Sequence, residues 1–364
     1  MPTKEKKKSR QIWLYLFYAA LTVAILVFVL SMNDIGEIFA VLAEVDVRYV
    51  LLAVLCILVY LALYPLTLCL LARSKGVPTR FSDVYTIGMT EHFFNGITPF
   101  ATGGQPFQAY ALTKKKTSLA DATGLLIMNF LIFMTVTNTY ALLSLFYAKD
   151  FIRSEGMGIV AIIGFSANFL VLICTVILGT SRRVRSWIVS LMRLLSHIGF
   201  LRDFIEKRIE AFNEYTENTQ AAFRALRKDK KSFLLCYLTR FTTMFFYYAV
   251  TFFILRALHL PVGVDSLVFV VLGSAFAVTT VVFVPTPGSS GGIELAFSSI
   301  FSALAIGAGE SVSYGGMLIW RLITYYLTIF LSMLFYFYFE WKCARERRQL
   351  PIVTAVGTEE GEEA

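Results

Sequence analysis

Apolar residues along this chain fall in long continuous runs, not in alternation with polar ones. The first is WLYLFYAALTVAILVFVL, inside a stretch of about residues 11–31, and similar runs cover about 49–72, 118–147, 157–179, 232–257 and 314–340. Each is roughly 20 residues or more, the length that crosses a hydrocarbon core of about 30 Å as a helix. Outer-membrane barrel strands are instead segments of about ten alternating residues. The pattern therefore predicts an all-α integral membrane protein, a polytopic helical bundle. The basic KEKKKSR start resembles a signal peptide, but the apolar core behind it is too long and no small-residue cleavage site follows, so a retained first span is expected.

Charge sets the expected topology. Lys and Arg beside span ends mark the cytoplasmic face, which places Lys4 to Arg10, ARSKGVPTR, Lys114 to Lys116, the stretch Arg182 to Lys231 and WKCARERR inside, with both termini cytoplasmic. Residues 81–116 then begin and end on the same face. They are expected to dip into the membrane and return as a re-entrant hairpin turning at TPFATGG, residues 98–104. The same word recurs as TPGSSGG at 286–292, within a segment, 266–308, whose two ends are both expected outside. Two hairpins from opposite faces form an inverted repeat. By average residue frequencies, the pattern Thr-Pro-x-x-x-Gly-Gly arises by chance on the order of once in several hundred chains of this size. Proline removes a backbone donor and the glycines admit conformations that other residues resist, so both words should unwind a helix. Backbone broken in this way is tolerated at membrane depth only where protein or a wet cavity covers it.

The segment 181–231 reads as a basic cytoplasmic insert, and its Trp187, Leu191, Leu194 and Leu195 recur at helical spacing, as expected of an amphipathic helix on the inner leaflet. Residues 344–364 read as a short acidic tail without fixed structure. Composition agrees with a membrane protein, 57% hydrophobic with a formal net charge of +8. Three histidines and five cysteines without paired spacing predict neither a metal site nor a disulfide framework, and no cofactor or nucleic-acid partner is expected.

Ionisable residues inside spans disfavour insertion by about 3 kcal/mol each and are candidates for function by default. Glu91, Glu294, Arg240 and Arg321 stand out, whereas His92 is expected to be a satisfied polar residue and not a proton relay. The broken words add Thr98, Pro99, Gly103, Gly104 and Gln105 at the first site and Thr286, Pro287, Gly291 and Gly292 at the second. Half-helix ends at such breaks expose amides that attract anions, so the amides at Gly103, Gly104, Gly291 and Gly292, with Arg321, are expected to serve a phosphate, and Glu91 or Glu294 an amine. Arg240, two turns from the cytoplasmic end of its span, has snorkelling as its plain alternative, and Glu294 has helix capping.

GITPFATGGQPFQAYAL and PTPGSSGGIE resemble the two signature stretches of the flippase-like family that includes the transmembrane region of lysylphosphatidylglycerol synthase, the bacterial multiple peptide resistance factor. The resemblance covers residues 1–343, with Ser289 standing where a glycine is common in that family. It implies a membrane lipid flippase in the bacterial cytoplasmic membrane that moves an aminoacylated phospholipid such as lysylphosphatidylglycerol between leaflets. It implies membrane phospholipids as partners, with a separate synthase or a second copy as protein partner. The alternative is the membrane part of a phosphatidylglycerol lysyltransferase system involved in cationic peptide resistance, with its catalytic domain absent from this chain.

Overall fold

In hydrocarbon a peptide group has to find its hydrogen bonds within its own segment, and long apolar runs therefore become helices. The computed structural model describes residues 43–98, 101–147, 157–197, 202–281 and 310–349, and among these there is no strand. The helices are α1 (Val47–Leu63), α2 (Leu66–Ser74), α3 (Phe81–Met89), α4 (Glu91–Gly96), α5 (Gly104–Lys114), α6 (Leu119–Tyr147), α7 (Met157–Thr180), α8 (Arg182–Ser196), α9 (Arg202–Lys228), α10 (Lys230–Ala257), α11 (Leu267–Val281), α12 (Glu310–Arg321) and α13 (Thr328–Gln349). Among the described residues, four stretches are long and apolar enough to cross a membrane: Val47–Ser74, Leu119–Leu145, Lys230–Ala257 and Val312–Glu346. Large side chains such as Leu51, Leu55, Leu234, Leu238, Phe330 and Phe337 point outward from these spans, as they do where the surrounding solvent is itself apolar. The chain is a multi-pass helical membrane protein.

Helix α10 is the central post. It packs along α1 and also touches α2, α6, α11 and α12. One core joins Ile57, Tyr60 and Leu61 of α1 to Tyr248, Ile254 and Leu255 of α10 and to Trp320. A second, around Leu68, Leu71, Ile87, Leu112, Leu125 and Phe339, lies at the other end of the bundle. Pro65 interrupts the first described span between α1 and α2, because it has no amide hydrogen to continue the ladder. Asp229 caps α10 by accepting the Ser232 amide at 3.0 Å.

The segment α3–α4–α5 leaves and returns to one place. Thr79 Oγ1 donates to the Lys115 carbonyl at 3.2 Å, and Lys115 Nζ lies 3.6 Å from Asp83. Helix α13 holds both ends: Lys342 Nζ lies 2.7 Å from Asp83 Oδ1, Glu340 is 3.2 Å from Lys114, and Glu346 is 2.5 Å from Lys115. Higher up, Ser332 Oγ donates to the Met89 carbonyl at 2.5 Å and accepts the Phe93 amide at 2.9 Å, bridging the break between α3 and α4.

Helix α13 continues to Gln349, past the expected end of the last span near 340, because Lys342 and Glu346 belong to this network. Between α12 and α13 the chain makes a π-helical turn, Leu322–Leu327, where Tyr325 Oη donates to the Gly96 carbonyl at 2.9 Å. The expected first span at 11–31, the tail beyond 349 and the second broken word lie outside the described residues, and of the segment 266–308 only the part through 281 is described.

Among the described residues, Asp83 is the one carboxylate facing both Lys115 and Lys342, and its side chain is 7% exposed. Asp83→Asn should therefore destabilise the protein by about 3 kcal/mol, visible as a lower thermal midpoint in detergent. Lys342→Met, which leaves Asp83 with Lys115, should lower it less. An unchanged midpoint for Asp83→Asn would show that the network does not hold the segment.

Candidate functional site

The first broken word lies against its own preceding helix. The Gly103 amide donates to Thr98 Oγ1 at 2.9 Å, and the Gly104 amide donates to Asn95 Oδ1 at 2.8 Å. A Cβ on Gly103 would sit 2.8 Å from the Phe94 carbonyl oxygen, and one on Gly104 would sit 2.7 Å from Glu91 Cγ. Both positions need glycine for this close approach. Phe94 of α4 and Phe107 of α5 stack across the fold with centroids 4.0 Å apart. Ala101 lies at φ 50°, in the left-handed region that side chains other than glycine seldom occupy. The expectation that the Gly103 and Gly104 amides would be open to a phosphate is corrected here, since side-chain oxygens already accept from both.

Beside this turn lies a cavity of about 350 Å³ walled by α4, α5, α6, α7, α10, α11 and the α1–α2 break. That volume is at the lower end of ordinary ligand pockets, about 300–1,000 Å³. Glu91, Asn95, Ala101 and Gln105 form one wall, and Asn129, Thr137, Asn168, Tyr248 and Thr279 bring polar groups from the others. Phe130, Phe133, Met134, Val171, Met244 and Val278 fill the space between them. Among the described residues, Asn168 Nδ2, Tyr248 Oη and Thr279 Oγ1 are buried without a hydrogen-bond partner. Such groups each disfavour the fold by about 1–3 kcal/mol, and these three face the one cavity.

Glu91 opens α4 and is 7% exposed. Gln108 Nε2 donates to its Oε2 at 3.1 Å, and Tyr64 and Asn95 lie beside the carboxylate. Arg240 is fully buried, with Nη2 donating to Asn129 Oδ1 at 2.9 Å and the guanidinium 4.2 Å over the Tyr64 ring. Its Nε and Nη1 find no acceptor among the described residues. Tyr64, placed at the Pro65 break, thus touches both charges. A complete burial of this kind separates Arg240 from the snorkelling alternative, in which the head group would reach the interface.

Other expected residues are placed differently. Thr98 serves the turn as a cap, and Gln105 lines the cavity. Arg321 is 5% exposed with its guanidinium 4.8 Å over the Tyr325 ring, and it does not line the described cavity. His92 packs between Tyr60 and Tyr64, at 5.4 and 4.2 Å, and its Nε2 has no hydrogen-bond partner among the described residues, where a satisfied histidine was expected. Pro99, Thr286, Pro287, Gly291, Gly292 and Glu294 lie outside the described residues. Tyr64, Asn95, Gln108, Asn129, Asn168 and Tyr248 had not been singled out. An amide in the middle of an apolar run, as in GLLIMNFLIFM, was the available signal for Asn129.

The family model described as the lysylphosphatidylglycerol synthase TM region matches residues 15–332, which include both broken words. A UPF0104 membrane protein of Methanothermobacter thermautotrophicus is 24% identical over 302 residues, 80% of this chain and 86% of that one.

Gly104→Ala should force Glu91 and Asn95 from their positions, with a loss of about 1–3 kcal/mol expected from overpacking. Gly273→Ala, where an added Cβ meets nothing within 4 Å, is the matched control. Equal thermal midpoints for the two variants would contradict the close approach.

Proposed function

The chain belongs to the family of the lysylphosphatidylglycerol synthase transmembrane region, and on that premise we propose that it moves a polar lipid between leaflets by passing the headgroup through the cavity at Glu91. One observation carries this reading: a largely apolar cavity with the buried carboxylate of Glu91 in its wall and the fully buried guanidinium of Arg240 behind the lining residues Tyr64 and Asn129, set inside a bundle whose outer surface is apolar. A lipid headgroup with a phosphate and an amine needs such opposite poles. Arg240, whose Nε and Nη1 have no acceptor among the described residues and which lies behind Tyr64 and Asn129 of the cavity wall, serves the phosphate, and Glu91 serves the amine. An aminoacylated phospholipid such as lysylphosphatidylglycerol fits this pair. Glu294 is proposed as a second carboxylate, with Arg321 and the glycine-rich word at 286–292 on the same path.

The segment 81–116 is read as a re-entrant hairpin, supported by the hydrogen bond between Thr79 and Lys115 at its two ends. Its counterpart at 266–308 is read as the inverted repeat, supported by the repeated Thr-Pro-x-x-x-Gly-Gly word. Placing the Lys/Arg-rich ends inside follows the positive-inside rule and puts both termini in the cytoplasm. A second reading rests on the family description, which names a synthase: the chain is the membrane part of a phosphatidylglycerol lysyltransferase system and works with a separate synthase or a second copy.

Lipid analysis by mass spectrometry with outer-leaflet amine labelling separates the two. Transport changes leaflet distribution at constant total lipid, whereas synthesis removes a lipid species when the protein is deleted. Glu91→Gln and Arg240→Gln should each slow outer-leaflet exposure about 10- to 100-fold, equivalent to a charged hydrogen bond of about 1.5–3 kcal/mol. Normal exposure in both variants, at normal expression, would rule out this cavity as the path. Glu294→Gln keeps an acceptor but loses the charge, so a loss of exposure favours amine binding over capping. For topology, cysteines at 80 and 116 should label from the same side of the membrane.

A further inference from the structure

Helices α8 and α9 lie apart from the cavity and carry features the site does not use. After Thr180 the chain turns by 100° into α8, and Ser181 Oγ fixes the corner by accepting the Val184 amide at 3.3 Å. The apolar run at about 157–179 leads to the expectation that α7 crosses the membrane, and a helix at this angle to a crossing α7 runs along the membrane plane, at the level where α7 ends.

The surface of α8 divides into three sectors. Val189 is buried against the protein, and Arg185 Nη2 donates to Glu217 Oε1 of α9 at 2.6 Å. A second sector holds Trp187, 69% exposed, and Leu194, 66% exposed, with Leu191 and Leu195 also exposed. The third holds Arg182, Arg183 and Arg193 with Ser186 and Ser190, and α8 contains no acidic residue. The far half of α9 is fastened to the bundle: Gln220 Nε2 donates to the Leu178 carbonyl at 3.5 Å and Ala222 is completely buried.

We propose that α8 docks on the anionic phospholipid surface of the leaflet at the Lys/Arg-rich end of the bundle. Trp187, Leu191, Leu194 and Leu195 enter the boundary between headgroups and acyl chains, and Arg182, Arg183 and Arg193 meet lipid phosphates. Charge complementarity favours lipid over a second copy of the chain. A symmetric contact pairs a face with itself, which would set the arginines of one α8 against those of the other. The assignment is independent of what the cavity carries. Because α9 packs on α6 and α7, docking ties the leaflet surface to two helices that line the cavity.

The test uses the full chain in nanodiscs of phosphatidylcholine with or without phosphatidylglycerol. Single cysteines at 186, 187, 190, 191 and 194 carry a spin label in a Cys174→Ser background, Cys174 being the exposed native cysteine among the described residues. Accessibility to oxygen, which dissolves in lipid, is compared with accessibility to a water-soluble nickel chelate. Labels at 187, 191 and 194 should favour oxygen and those at 186 and 190 nickel, and the contrast should be larger with phosphatidylglycerol. Each of Arg182→Gln, Arg183→Gln and Arg193→Gln should weaken docking about fivefold, so the triple variant should lose the phosphatidylglycerol dependence. Nickel accessibility at all five positions would overturn the proposal. Protection of 187, 191 and 194 that rises with protein concentration in detergent, without lipid, would also overturn it and assign the face to a second copy.

Discussion

A helix broken inside an apolar bundle has to find partners for the backbone groups it releases, and nearly every local feature around the cavity follows from that requirement. Thr98 and Asn95 take the amides of Gly103 and Gly104. Ser332 accepts the Phe93 amide and donates to the Met89 carbonyl, and Tyr325 donates to the Gly96 carbonyl from the π-helical turn. Both glycines are needed because the accepting side chains lie so close beneath them that a Cβ would overlap the helix α4 atoms. The sequence word is thus first a packing device, and its chemistry follows from what the packing brings near.

What it brings near is a set of side chains. The glycine amides are internally consumed, so the groups that face the cavity are Glu91, Asn95 and Gln105 from the broken segment, with amides and hydroxyls from α6, α7, α10 and α11 opposite. The two buried charges are not equivalent. Among the described residues the Glu91 carboxylate accepts from Gln108 and the Arg240 guanidinium donates to Asn129 and lies over the Tyr64 ring, with Nε and Nη1 left without an acceptor. The guanidinium retains more unused capacity for a partner than the carboxylate does.

Much of this architecture was readable before any coordinates, for a simple reason: apolar run length and terminal charge are one-dimensional properties. The run expected at about 49–72 is the helix pair within Val47–Ser74, and that at 232–257 is α10. The basic flanks of 81–116 led to the expectation of a hairpin with both ends on one face, and at its ends Thr79 and Lys115 meet. The use of the glycine amides was not readable, because Asn95 and Thr98 become acceptors only through the three-dimensional approach of α5 to α4. Asn129, Asn168 and Tyr248 were passed over because they are uncharged and sit in runs otherwise typical of spans. The extension of α13 to Gln349 depends on Lys342 finding Asp83, a contact 259 positions away in the chain.

The stitching of α3, α4 and α5 to α13 divides the cavity between two mechanical parts. Glu91 rides on the part that Asp83, Ser332 and Tyr325 lock to the last span, while Arg240 rides on the central post with α1 and α6. The Tyr64 side chain lies across the seam, touching both charges. Sliding of one part against the other would change the distance between carboxylate and guanidinium, and so would alter the strength with which each holds a visiting charge. A seam placed there makes the separation of the two buried charges a property of how the two parts pack.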